Sequence, residues 1–348
     1  MNAKRIAAFW RRQGKLLLQG VILCLPTALL LVSVLLILPA VRGAGSEKKE
    51  AEKSGTGKSE YTLMTSEKRQ NADGTSRVRV DVVKTVRLEK HGYPPIEIDL
   101  DEYLVGVLLA EVSPDYHEAA LEAQAIAART YCLYRLEKGL HHESGADVCD
   151  DYTHCMAYLD PAIADEESVS VMRRAVENTK GQVILYDGQL IDAVFHDSSS
   201  FYTESALAVW GVELPYLQAV ASPEEVKEEQ FTYTAAELFS KMNAGEPPAD
   251  AEPFGGVTQD PAGRADTVTV CGVAFPATKL RLALGLPSTS FRVTYAGGAY
   301  TFHVYGWGHG VGMSQKGAER FAASGANAED ILLHYYSGCR VSDGENQK

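Results

Sequence analysis

Long uncharged and polar stretches divide the chain into segments. Residues 16–41 carry no charged side chain, and a helix of this length, rising ~1.5 Å per residue, can cross a ~30 Å hydrocarbon core. Basic side chains in residues 1–15 predict a cytoplasmic amino terminus and a single-pass anchor in the cell membrane. The polar residues 42–77 predict a flexible linker, followed by an extracytoplasmic domain over 78–341 and a tail over 342–348. A cleaved signal peptide is the alternative, although its apolar core usually has only ~7 to 15 residues.

The periodicity of the body changes between helical and extended spacing. A helix capped by Asp99 or Asp101 is predicted to end at Glu111, and an alanine-rich helix is predicted over about 117–138. Hairpins are predicted around Asp-Gly at 187–188 and Gly-Gly at 297–298. The pattern therefore predicts an α+β fold, in which helices pack with antiparallel hairpins around a substrate groove, after one transmembrane helix.

The first of these helices carries a carboxylate on an apolar face. Leu104, Val107, Leu108 and Glu111 recur at helical spacing and share one side. A carboxylate on this face, in the last turn where the helix dipole is negative, should have a raised pKa. Such a protonated acid suits glycosidic bond cleavage, in which the leaving oxygen needs a proton. The alternative is that Glu111 turns to solvent at a frayed helix end.

Composition and charge narrow the possible functions. The 348 residues have a net charge of −13, and residues 1–42 contain no Asp or Glu, so the remainder is more acidic still. This acidity argues against nucleic-acid binding, which needs a basic face. Residues 222–266 are acidic and rich in Pro and Gly and predict a surface insertion. Of the 6 Cys, Cys24 lies in the apolar span, and the odd number left requires at least one free or ligated thiol.

A cluster of histidines and cysteines follows the alanine-rich helix. His141, His142, Cys149, His154 and Cys155 fall within one short segment. Thiolate and imidazole are the ligands that zinc prefers, although this spacing is not a standard motif. A disulfide or reduced loop thiols are the alternatives.

Three runs in the body resemble, in order, the motifs of the stage II sporulation protein D family. The first comprises LDEY at 100–103, Gly106, Glu111, Pro114 and EAALEAQAIAARTY at 118–131. The second comprises FHDSSS at 195–200, Thr203, Glu204 and PYL at 215–217. The third comprises GWGHGVGMSQKGA at 306–318 and HYYSG at 334–338. The resemblance covers about residues 78–341.

This resemblance implies a lytic transglycosylase, a peptidoglycan lyase that degrades the cell wall during sporulation engulfment. Glu111 matches the catalytic glutamate, which would cleave MurNAc-GlcNAc strands to 1,6-anhydro products. The resemblance also implies a partner amidase and a recruiting membrane protein. It implies a structural Zn²⁺ held by His142, Cys149 and Cys155; the first spacing is one residue longer here, which leaves His141 and His154 as rival ligands.

Polar residues of the three motifs are predicted substrate contacts. The alanine-rich helix and the second and third motifs supply Gln124, Arg129, Ser199, Ser200, Thr203, Tyr216, His309, Ser314 and Gln315. The family usually has small residues where Phe201 and Tyr202 stand, so the sugar site is expected to differ locally.

Two alternative functions remain open from the sequence. The first is a non-catalytic peptidoglycan-binding or amidase-stimulating protein. The second is a zinc-dependent cell-wall hydrolase built on His142, Cys149 and Cys155. A serine hydrolase at 196–198 is disfavoured because no Gly-x-Ser-x-Gly elbow is present.

Overall fold

A computed structural model of the chain describes residues 69–70, 76–77, 83–243 and 254–343. The predicted anchor at 16–41 and most of the predicted linker lie outside these residues. In the part that is described, no helix combines the length and the hydropathy that a membrane span requires.

Helices and short antiparallel sheets alternate along the chain. The helices are α1 (Leu100–Glu111), α2 (Glu118–Glu137), α3 (Glu166–Asn178), α4 (Ala206–Trp210), α5 (Ala235–Met242), α6 (Ala277–Leu284), α7 (Gln315–Ala323) and α8 (Ala328–Tyr335). The strands are β1 (Arg69–Gln70), β2 (Ser76–Arg77), β3 (Thr85–Glu89), β4 (Ile96–Asp99), β5 (Val148–Cys149), β6 (Val183–Tyr186), β7 (Gln189–Leu190), β8 (Phe195–His196), β9 (Glu228–Thr234), β10 (Phe254–Gln259), β11 (Ala265–Val270), β12 (Val273–Pro276), β13 (Phe291–Ala296), β14 (Ala299–Tyr305), β15 (Met313–Ser314) and β16 (Arg340–Ser342). The mixed helix and strand content with mainly antiparallel pairing confirms the predicted class.

A helical core holds the first half of the body together. Asp99 caps α1 by accepting hydrogen bonds from the backbone N–H groups of Asp101 and Glu102 at 2.9 and 3.2 Å. Helix α2 lies centrally and packs against α1, α3, α7 and α8. Its alanines between Ala120 and Ala128 are buried, which allows this close approach on several sides. The sequence therefore located both early helices.

A second core follows, and residues 222–266 contribute to it. Strands β9, β14 and β13 form one sheet and β10, β11 and β12 another. The buried side chains Leu238, Phe239 and Met242 of α5 pack with those of α6 and both sheets. The segment predicted as a surface insertion thus supplies strands β9 and β10 and helix α5 to this core.

The two predicted hairpins form, with one difference in pairing. Strands β13 and β14 pair antiparallel from Phe291↔Val304 to Ala296↔Ala299, as predicted. Strands β6 and β7 pair only over Leu185↔Leu190 and Tyr186↔Gln189. Beyond them β8 leaves the hairpin and pairs in parallel with β15, so that His196 lies beside Ser314. This long-range pairing brings the second and third sequence motifs together.

Candidate functional site

Glu111 lies in the last turn of α1, and both of its carboxylate oxygens accept hydrogen bonds. Oε1 accepts from the backbone N–H of Ala157 at 2.7 Å, and Oε2 accepts from Nε2 of Gln315 at 3.3 Å. Burial raises the pKa of Glu111, the two hydrogen bonds oppose this rise, and the negative charge of Asp197 adds to it. Glu111 therefore keeps its proton to a higher pH than an exposed glutamate, and two hydrogen-bond donors face its oxygens when it ionises.

Ala157 reaches Glu111 because a glycine in α1 lets its segment approach closely. A side chain at Gly106 would overlap the ring of Tyr158 and lie 2.9 Å from the carbonyl oxygen of Leu159. The N–H of Leu159 donates to the carbonyl of Gly106 at 3.0 Å. The ring of Tyr158 stacks on that of Tyr103, with centroids 5.8 Å apart. The glycine of the first motif is therefore explained by packing.

Gln315 is held in place through a buried carboxylate that the sequence analysis missed. Ser314 caps α7 by accepting from the N–H of Gly317 at 3.1 Å, and its hydroxyl donates to Oε1 of Glu224 at 2.6 Å. The same oxygen accepts from the N–H of Ser199 at 2.5 Å. Glu224 thus joins the second and third motifs. It lies in a segment without a motif, and no local pattern distinguishes it from its neighbours.

His196 is buried beside these groups in a neutral form. Its Nδ1 lies 3.1 Å from the carbonyl of Val311, which can only accept, so Nδ1 carries the proton and Nε2 accepts from the Ser199 hydroxyl at 2.7 Å. Burial lowers the pKa of His196 well below its usual range, helped by the neighbouring His309 ring, with which it competes for a proton, and by the positive charge of Arg264. Burial likewise lowers the pKa of His309 to about 4. Neither imidazole is placed to carry a charge near neutral pH.

The alternating glycines of the third motif pack against another chain segment. A side chain at Gly312 would overlap the carbonyl oxygen of Val194, and one at Gly308 would lie 2.7 Å from Cβ of His196. Both glycines have positive φ values, of 72° and 110°. They let the backbone turn tightly past β8, which is a packing role.

Asp197 adds negative charge near Glu111, and Tyr116 lies within reach of that charge. The Oδ2 atom of Asp197 accepts from Nζ of Lys316 at 2.6 Å and from the hydroxyl of Ser198 at 2.8 Å. Burial, and then the charges of Asp197 and nearby glutamates, raise the pKa of Tyr116 well above its usual range. The hydroxyl of Tyr116 therefore stays protonated and can donate.

Arg129 was predicted to contact substrate, but the structure places it in the interior. Its guanidinium is 2% exposed and donates from Nη1 to the carbonyl of Thr179 at 2.7 Å and from Nη2 to that of Val176 at 3.1 Å. An ion pair of 3.5 Å joins it to Asp101. Arg129 thus ties the carboxyl end of α3 to α1 and α2, and these contacts hold its donors away from solvent.

Several other predicted contacts are also buried and turned toward the protein. Gln124 is 1% exposed, and its amide has no hydrogen-bond partner among the described residues. The hydroxyl of Thr203 accepts from the N–H of Val220 at 2.9 Å, and that of Tyr216 accepts from the N–H of Asp192 at 3.3 Å. Ser199 and Ser314 are buried as well, whereas Ser200, at 8% exposed, borders a cleft. Of the predicted contacts, Gln315 reaches Glu111 directly, and His309 is partly exposed.

Four of the five candidate metal ligands converge. The donor atoms of His142, Cys149, His154 and Cys155 all lie within 4.8 Å of one another. Nδ1 of His154 is 3.9 Å from Sγ of Cys149 and 3.3 Å from Sγ of Cys155, which is 3.4 Å from Nε2 of His142. Zinc–sulfur and zinc–nitrogen bonds of about 2.0–2.3 Å in a tetrahedron put the ligand atoms about 3.3–3.8 Å apart. Two of these three distances fall in that range and the third is slightly longer, so a small closing of the cluster would let these residues hold a tetrahedral Zn²⁺ with two thiolates and two imidazoles.

The structure separates His141 from this cluster. Nδ1 of His141 pairs with Oδ1 of Asp147 at 3.0 Å. Cys149 and Cys155 are free thiols and form no disulfide. Of the two rivals to His142 that the sequence left open, His154 therefore lies with His142, Cys149 and Cys155, and His141 does not.

Comparisons with known proteins agree with the motifs. A family model described as "Stage II sporulation protein" matches residues 95–186. The chain is 31% identical to "Stage II sporulation protein D" of Bacillus subtilis (strain 168) over 336 residues, which cover 91% of this chain and 93% of that one. The protein with the same description from Bacillus amyloliquefaciens is 30% identical over 333 residues, with the same coverage. An "Amidase enhancer" of Bacillus subtilis (strain 168) is 27% identical over 301 residues, which cover 69% of this chain and 40% of that one.

Proposed function

Because this chain belongs to the stage II sporulation protein D family, we propose that it is a lytic transglycosylase of the sporulating cell. Its substrate would be the MurNAc-GlcNAc strands of peptidoglycan, and its product would end in a 1,6-anhydro sugar. The observation that carries the proposal is the carboxyl of Glu111, which has a raised pKa and two hydrogen-bond donors.

One carboxyl group suffices for this reaction. Glu111 would first donate its proton to the glycosidic oxygen, and the Ala157 N–H and the Gln315 amide would stabilise the resulting carboxylate. The carboxylate would then take the proton of the sugar's C6 hydroxyl, whose oxygen closes the anhydro ring. Water is not consumed, so a second carboxylate to activate it, as in ordinary glycosidases, is not required.

We also propose that His142, Cys149, His154 and Cys155 hold Zn²⁺. The metal would supply structural cross-linking there, since four protein ligands complete a tetrahedron. Ala157 follows Cys155 by two residues, so an ordered cluster would fix the N–H that meets Glu111. A closed donor set disfavours a zinc hydrolase, which needs an open position for water.

The membrane and partner assignments extend the same proposal. Residues 16–41 would anchor the protein in the cell membrane and leave the catalytic body on the extracytoplasmic side, facing the wall during engulfment. An amidase that strips stem peptides and a recruiting membrane protein are the proposed partners.

A second function is a non-catalytic role in wall binding or amidase stimulation. The similarity to a protein described as an amidase enhancer favours it. That role would need a surface that binds glycan strands but would not need Glu111 to donate a proton.

Digestion of bare glycan strands by the full-length chain separates the two functions. Glu111→Gln should lower the formation of anhydro-ended fragments, weighed by mass spectrometry, by ~10²–10⁴-fold while strand binding persists. Glu118→Gln, the same change at an exposed position of α2, is the matched control and should leave the yield unchanged. Full activity of Glu111→Gln, or no product from the unmodified chain with bound strands, would favour the non-catalytic role.

A further inference from the structure

Two aromatic side chains beside the second motif are exposed in an unusual backbone conformation. Phe201 is 66% and Tyr202 50% exposed. The φ of Phe201 is 75°, in the left-handed region that a bulky residue rarely adopts. Burial of the Phe201 ring does not offset this strain, and residues held in this way cluster at binding sites.

Hydrogen bonds on both sides fix this loop. The carbonyl of Phe201 accepts from the N–H of Ser222 at 2.8 Å, and the N–H of Thr203 donates to the carbonyl of Val220 at 2.8 Å. Tyr202 also pairs through its backbone with Ala221. The two rings are therefore carried by a fixed backbone, so this loop does not have to be ordered when a ligand binds.

The rings line a cleft between the two cores. The cleft has a volume of about 360 Å³, and Ser200, Phe201 and Tyr202 form one side of it. Ser290, Tyr305 and the turn at 262–263 form the other side. Tyr305 is held by its hydroxyl, which donates to Oε2 of Glu228 at 2.7 Å. None of the lining residues carries a charge.

This lining matches a neutral saccharide. A pyranose ring has an apolar C–H face that packs on aromatic rings, and its hydroxyls and acetamide need neutral donors and acceptors such as serine and tyrosine hydroxyls. A stem peptide carries carboxylates and an ammonium, and the charged groups nearest the cleft, Arg292 and Glu228 at the Tyr305 hydroxyl, already pair with each other at 3.2 Å. The lining therefore favours the glycan over its peptide.

The cleft is connected to the Glu111 site through adjacent residues and hydrogen bonds. Ser200 follows Ser199, whose N–H is bound by Glu224, and Glu224 also accepts from the hydroxyl of Ser314. The next residue, Gln315, donates to Glu111. We propose that the cleft is a saccharide subsite for an N-acetylhexosamine unit of the strand that Glu111 acts on, remote from the cleaved bond. This inference rests on the proposed function.

The test measures binding of the β-1,4 hexamer of N-acetylglucosamine to the full-length Glu111→Gln chain by titration calorimetry. Adding Phe201→Gly should weaken binding about tenfold, as should Tyr202→Ala. Glycine suits the positive φ, so Phe201→Gly is expected to fold and melt at least as high as its parent. Tyr93→Ala removes a ring that is 71% exposed in a turn elsewhere and should leave the affinity unchanged.

Each outcome bears on one proposal. Unchanged affinity in both ring variants, or preferential binding of the free stem tetrapeptide over the hexamer, would overturn the subsite. If the ring variants lose affinity while the unmodified chain yields no anhydro product, the subsite stands and the transglycosylase assignment fails. If anhydro product forms and the ring variants bind normally, only the subsite fails.

Discussion

The backbone N–H of Ala157 donates to Oε1 of Glu111 at 2.7 Å, and Ala157 lies two residues after Cys155. A cluster suited to zinc and a carboxyl with a raised pKa are thereby joined through one short segment. The position of the donor to Glu111 depends on the fold of that segment.

The buried carboxyl should lower stability at neutral pH. The pKa of Glu111 is higher in the folded protein than in the unfolded chain, so the folded protein binds the proton more tightly. Below the pKa of the unfolded chain the side chain is protonated in both states and costs nothing. As the pH rises through the pKa of the folded protein, the side chain must ionise in its buried site and stability is lost. Glu111→Gln should therefore raise the melting temperature at pH 7 and lose this advantage below about pH 4. Thermal melts of both chains across this range test the prediction; a variant that melts lower at neutral pH would contradict it.

A second carboxylate beside Glu111 should shift the pH dependence of the reaction. Gln315→Glu replaces an amide donor by a like charge, which raises the pKa of Glu111 further. The pH at which product formation falls on the alkaline side should increase. Gln189→Glu, at an exposed position, is the control and should leave the profile in place. An unchanged pH profile for Gln315→Glu would show that residue 315 does not influence the pKa of the catalytic acid.

The amount of bound zinc should differ between variants of the two rival histidines, His154 and His141. His154→Ala removes a convergent ligand and should greatly reduce the zinc retained by the purified protein, which elemental mass spectrometry measures. His141→Ala should retain about one equivalent, since His141 pairs with Asp147 instead. If a chelator first removes the metal from the unmodified chain, adding zinc back should raise its melting temperature. Equal zinc in both variants would refute the assignment of His154.

Arg129 should contribute to the free energy of unfolding rather than to substrate binding. Arg129→Ala leaves the carbonyls of Val176 and Thr179 without their buried donor and should cost about 2–4 kcal/mol of unfolding free energy in urea. Arg174→Ala, at a 62% exposed side chain, should change the free energy by less than about 0.5 kcal/mol. A stable Arg129→Ala variant that loses strand binding would restore the predicted sugar contact.

Gly106 should tolerate no side chain. Gly106→Ala drives a methyl group into the ring of Tyr158 and should destabilise the protein by about 1–3 kcal/mol. Product formation should fall as well, because the segment that carries Ala157 must shift. In Gly255→Ala the new methyl group makes ordinary contacts of 3.4 Å and longer, so this control should be nearly neutral. Denaturation curves and activity together decide the outcome.

The sequence by itself determined the early helices, the two hairpins and the position of Glu111 at a helix end. These follow from apolar spacing, a capping Asp99 and turn glycines, all of which act over a few residues. It also located the histidines and cysteines in one segment, since their proximity is local.

Only the tertiary structure decided which polar side chains meet Glu111. Arg129 and Thr203 belong to sequence motifs yet face the interior, whereas Glu224 and Ala157 have no local signature and contribute hydrogen bonds to the site. Periodicity places a residue on an element, but the partners of its side chain depend on how distant segments pack. That packing depends on features such as the close approach at Gly106 and the parallel pairing of β8 with β15.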